Sequence, residues 1–182
     1  MNLGYDEHKL AELLLYVAKQ LTNDQWGGST KINKVLFFAD FDHVQRTGQP
    51  ITGAVYQKLQ HGPAPRRLLP VRDALVADGS AVVQYEDRGE KQHHRMVALR
   101  DADLTIFSAE ELQTVDSVIS KLRGQNASQV SELSHQHIGW RLTEMNEDIP
   151  YAAALAQAPQ VATPTSRRLE RQVAERFGFI AS

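Results

Sequence analysis

The chain has 182 residues, of which 20 are basic and 22 acidic, a formal net charge of −2, and no cysteine. That length suits one ordinary domain able to bury a core without cross-links, and the missing thiols exclude a disulfide framework, a thiolate zinc site and a cysteine nucleophile. The balanced charge argues against a strongly electrostatic nucleic-acid binder. Apolar runs are far too short for a membrane span, and Met1 to Lys9 lacks the order of a secretory signal, so a cytoplasmic location is expected.

Leu10, Leu13, Leu14, Val17 and Leu21 recur at helical spacing and predict a first helix over Asp6 to Leu21. After the Gly27-Gly28 break, Ser29 or Thr30 is expected to cap a second helix reaching Thr47, with Gly48 and Pro50 as its stop. Ile32, Val35, Leu36, Phe37, Phe38, Ala39 and Phe41 cover too wide an arc for one surface stripe, so this helix is expected to be central and buried on most sides. Ala54 to Gln60 reads as a strand with Val55 and Leu59 facing one way, followed by a rigid loop, His61-Gly62-Pro63-Ala64-Pro65. A third helix is predicted from Arg66 to Ala77, with Pro70 near its first turn and Gly79 as its stop.

Ala81–Glu86 and Gln92–Leu99 are predicted to form a hairpin about Asp87-Arg88-Gly89-Glu90. Ser108 and Glu111 make a capping box at the start of a helix with Leu112, Val115, Val118, Ile119 and Leu122 on one face. Asn126 caps a shorter helix to His135, and Pro150 to Leu155 reads as a helical turn. Ala156 to Thr165 has the composition of a linker, and Arg167 to Phe177 that of a terminal amphipathic helix. The expected fold is therefore α+β: a mostly helical single domain with a small antiparallel sheet or hairpin. Its helix-helix-strand-helix-hairpin order resembles a winged helix, a topology that does not by itself fix function.

The candidate site residues divide into two groups. Tyr56, His61 and Arg66, with neighbouring Arg67, are read as presented to a partner by the rigid loop, because aromatic and arginine side chains are enriched at binding hot spots. Gly62, Pro63 and Pro65 shape that loop. Lys34 and Asp40, on a buried helix, are each expected to be paired, in a structural ion pair or a cap, because an unpaired buried charge is costly. His135 and His137 match none of the usual zinc spacings. His135 and Trp140 are counted with the candidate partner contacts, beside the structural reading in which His135 bonds to backbone with Trp140 packed nearby. No nucleophile elbow, Walker loop or dinucleotide fingerprint is present, so no catalytic, metal or cofactor site is assigned and the chain is read as a binding protein rather than an enzyme.

Three segments in order, Lys31 to Asp40, Gly48 to Gly53 leading through Tyr56 to Pro65, and Leu133 to Trp140, together resemble the Panacea or SocA-like antitoxin domain, a phage-associated protein family. The resemblance places that domain at residues 1–145, with a linker and C-terminal amphipathic helix at 146–182. It implies an antitoxin that neutralises a cognate protein toxin, by direct binding or as an adaptor handing the toxin to a Clp-type protease. The alternative is a winged-helix-like DNA-binding regulator of phage or mobile-element origin. Seven basic residues against five acidic ones between positions 66 and 100 give that alternative little electrostatic support. A homo-oligomer is left open.

Overall fold

The computed structural model describes residues 4–88 and 91–156. Helix α1 (Glu7–Gln20) is capped by the Asp6 carboxylate, which accepts from the Lys9 amide at 2.9 Å. Helix α2 (Ser29–Thr47) runs through the centre, with Val35, Leu36, Phe37 and Ala39 wholly buried. Its width of apolar surface is used as expected: α1, α4 (Ala109–Leu122), α5 (Ala127–His135) and both small sheets pack around it. Gly28, rather than Ser29 or Thr30, occupies its N-cap with no side-chain cap bond. Ser29 instead donates its hydroxyl to the His94 carbonyl at 2.8 Å, tying the helix start to the hairpin. Gly48 ends the helix in the left-handed region at φ 80°, where a glycine avoids the Cβ penalty.

The predicted strand at Ala54 to Gln60 shrinks to β1 (Tyr56–Gln57). It lies between β2 (Ala64–Pro65) and β5 (Asp148–Ile149) in an antiparallel sheet, with Tyr56 opposite Pro65 on one side and Ile149 on the other. The expected facing is also reversed: Val55 is exposed, whereas Tyr56 is wholly buried. Successive residues of a strand point to opposite faces, so burying the large aromatic turns Val55 out. Helix α3 starts at Leu68, two residues after the predicted start, because the Arg66 amide is already bonded to the Val55 carbonyl. The predicted hairpin forms as β3 (Ala81–Arg88) and β4 (Lys91–Ala98), with Ala81 opposite Ala98 and Tyr85 opposite His94.

The Ser108–Glu111 capping box is present at α4, and Asn126 forms a second one with Gln129 at α5. A short helix, α6 (Ile138–Leu142), follows, and a 3-10 turn at Tyr151–Ala154 takes the place of the helical turn expected at Pro150 to Leu155. Both β5 and this turn lie beyond residue 145 yet pack into the same fold, the turn against α2 and α6. The terminal helix expected at Arg167 to Phe177, and nearly all of its linker, lie outside the described residues. Among the described residues, no helix is long and apolar enough to cross a membrane.

Candidate functional site: a clamped loop and its groove

Lys34 and Asp40 are both buried on α2, but neither is in an ion pair or a cap among the described residues. Hydrogen bonds replace the expected counter-charges. Asp40 accepts from the Thr52 amide at 2.7 Å, the Thr52 hydroxyl at 2.5 Å and the Tyr56 phenol at 2.8 Å. The Tyr151 hydroxyl lies 3.2 Å away and bonds the Ala54 carbonyl at 2.7 Å. Burial in this cation-free setting raises the Asp40 carboxyl above its ordinary range, while the bonds from Thr52, Tyr56 and Tyr151 pull the other way. This knot fixes the Ile51–Tyr56 segment and the Tyr151 turn onto α2. It corrects the reading of Tyr56 as a partner contact: its ring packs against Phe37 and Phe41 and it has no exposed surface.

Next to the knot, the loop from Lys58 to Pro65 is clamped from three sides. Lys34 donates Nζ to the Pro63 carbonyl at 3.2 Å, Ser131 its hydroxyl to the His61 carbonyl at 3.0 Å, and Trp140 its Nε1 to the Leu59 carbonyl at 3.2 Å. Gly62 makes the turn at φ 94°, and a Cβ there would stand 2.3 Å from Ser134 Oγ and 2.7 Å from Lys34 Cε. Only glycine tolerates both the backbone angle and the close approach. His135 stacks on Trp140 at 4.0 Å and 19°, and Lys58 lies over the same indole at 4.2 Å. The expected packing of His135 and Trp140 is observed, and the His135 ring has a backbone hydrogen bond at Gln60, while its Nε2 is buried without a partner. Burial first, and the nearby Lys34 charge second, lower its pKa.

Between this loop and α2 opens a groove of about 510 Å³, lined by Thr30, Asn33, Lys34, Gln60, His61 and Met145, among others. Of the residues singled out in the sequence, His61, Lys34 and Gly62 meet at the groove. His135 and Trp140 support the loop from behind. Pro63 supplies the carbonyl on Lys34 and Pro65 sits buried in β2. Thr30, Asn33, Met145 and Asn146 were not foreseen. Thr30 reads in the sequence as an N-cap candidate and Asn33 as an ordinary polar position of a helix, and the last two reach the groove only through the pairing of β5 with β1.

His137 caps α6, its Nδ1 accepting from the Gly139 amide at 3.1 Å, and its ring meets Phe37 and Phe41 edge-on at 4.9 and 5.1 Å. Burial lowers its pKa from 6.5 to about 4. The folded state thus resists a proton that the unfolded chain accepts, so stability is full above pH 6.5 and falls as pH drops toward 4. The expected loss is about 2 kcal/mol after allowing for the part of the ring that water reaches. Urea titrations from pH 7 to 4 should show it, and His137→Asn, which keeps a cap acceptor but does not titrate, should flatten the profile relative to wild type.

The cations near α3, where a winged helix would present its recognition surface, are already engaged. Arg66 pairs with Asp148, Arg67 with Glu7 and Arg72 with Asp73. The outward residues of α3 include Leu69, 55% exposed, and Val76. This helix therefore offers apolar surface between neutralised charges rather than a concentrated positive face. Arg66 and Arg67 remain exposed as expected, each with an acidic neighbour.

A family model described as "Antitoxin SocA-like, Panacea domain" matches residues 32–141. The matched span covers more than half of the chain, from the first turn of α2 to α6, and includes Asn33, Lys34 and the clamped loop. The chain belongs to this Panacea family of SocA-like antitoxin domains. No curated protein and no solved structure matches the chain.

Proposed function

We propose that this protein is an antitoxin that neutralises a cognate protein toxin in the cytoplasm by binding it directly, or by delivering it to a Clp-type protease. Membership of the Panacea family carries the reading. The surface is in keeping with it: Met145 on the groove lining is 49% exposed and Leu142, at the end of α6, 77% exposed, apolar area of the kind a protein interface covers. Co-expression with the product of the adjacent open reading frame tests it. The neighbour alone should arrest growth and the pair should not. A neighbour that is harmless alone, or equally toxic with this chain, would overturn the reading.

Two variants sharpen the test. Leu142→Glu and Met145→Glu should each weaken the complex at least tenfold, about 1.4 kcal/mol, without lowering the melting temperature. The DNA-binding alternative predicts a salt-dependent gel shift on the DNA upstream of its own gene. With the cations at α3 paired, no shift is expected at low salt.

A further inference from the structure

We infer that the groove floored by Lys34 seats a carboxylate, an Asp or Glu side chain supplied by the protein partner. The inference rests on the antitoxin reading for the source of that carboxylate. It stands on geometry for the site.

Two lysines one turn apart on α2 are both buried, and their fates differ. Lys31 is wholly buried and reaches Asp24 at 2.7 Å. Lys34, 2% exposed, has one hydrogen bond, to the Pro63 carbonyl, and lines the groove. An ammonium has three N–H donors, so two are left without a protein partner. A buried cation without a counter-ion is costly, and none of the groove-lining residues is acidic.

The surroundings add neutral donors. Asn33, on the groove lining, has its side-chain Oδ1 buried without a partner. A half-turn of the Asn33 amide exchanges its oxygen for its N–H₂. Thr30 contributes a hydroxyl to the lining. His61 shares the groove lining with Lys34, and His135 on α5 feels the Lys34 charge together with those of Glu132 and His61. With His135 disfavoured as a cation, Lys34 supplies the one full positive charge of the floor, which matches a monoanion better than a phosphate dianion. The groove is wide enough to admit a side chain with part of its backbone, and Met145 lies on its lining. That shape suits a residue projecting from a protein surface better than a free metabolite. Burial lowers the Lys34 pKa to about 7. A carboxylate at contact distance would restore the charged form.

The test uses the ¹⁵N-labelled full chain at pH 6, titrated with sodium acetate against sodium chloride at equal ionic strength. Acetate should produce saturable shifts in the amides of Asn33 and Leu59 to Gly62. The shifts should vanish in Lys34→Met and weaken in His61→Ala, with both variants melting cooperatively. Shifts no larger than those from chloride, or shifts that persist in Lys34→Met, would overturn the site. Tighter binding of sodium sulfate, a dianion at this pH, than of acetate would overturn the choice of a carboxylate.

A second arm measures capture of the adjacent gene's product, where Lys34→Met should bind at least tenfold more weakly than wild type. Equal capture by Lys34→Met and wild type defeats the inference and leaves the antitoxin reading standing. No capture by wild type defeats the antitoxin reading and with it the named source, while the acetate arm still decides the site.

Discussion

Asp40→Ala is expected to lower the unfolding free energy by about 3 kcal/mol, read from the urea midpoint at pH 7. Removing the carboxyl strands the Thr52 amide and hydroxyl and takes one acceptor from Tyr56, all in a buried setting. Each buried polar group left unsatisfied costs about 1–3 kcal/mol. The sum is reduced because the phenols keep other partners, Leu36 for Tyr56 and Ala54 for Tyr151. Relief of the buried carboxyl's own desolvation reduces it further. Asp40→Asn keeps one acceptor and the volume, so it should cost less than half as much. A loss below about 1 kcal/mol for Asp40→Ala would mean that the knot does not hold the Ile51–Tyr56 segment to α2.

Lys34→Met is expected to act in the opposite direction and to remove a pH dependence. The lysine has its pKa lowered from 10.5 to about 7 by burial. The unfolded chain therefore binds this proton more tightly than the folded one, and stability rises with pH across the window from about 7 to 10.5. Between pH 7 and 9 this residue alone should add about 2 kcal/mol to the wild-type unfolding free energy. Lys34→Met should lack that gain and should be the more stable protein at pH 7, because an apolar chain of similar length replaces an uncompensated charge. Denaturant titrations of both proteins at pH 7 and 9 check the prediction, and parallel profiles would contradict it.

The parts of the fold legible in the sequence are those fixed by neighbours in the chain. The Ser108–Glu111 box works over three residues, the β3–β4 hairpin over one turn, and the burial of α2 follows from apolar residues on most of its faces. Illegible parts depend on distant partners. Asp40 finds Thr52, Tyr56 and Tyr151 at separations of 12, 16 and 111 residues. Composition could say that a buried Asp40 needs partners, but not that they would be hydroxyls rather than Lys34. β1 is two residues long, so its alternation carried too little signal to show that Tyr56, and not Val55, points inward. β5 and α6 are also too short to leave a period, yet they place Met145 and Trp140 about the clamped loop. Of the site, Lys34, His61 and Gly62 were visible as unusual residues. Their meeting at one groove, with Asn33 and His135 left short of hydrogen bonds, needed the three-dimensional arrangement.

The most direct measurement is affinity capture of the tagged full chain co-expressed with the product of the adjacent open reading frame. An antitoxin of this family should retain that product as a complex that co-elutes on gel filtration and supports growth. A toxic neighbour that is not retained, and that still arrests growth beside this chain, would contradict it.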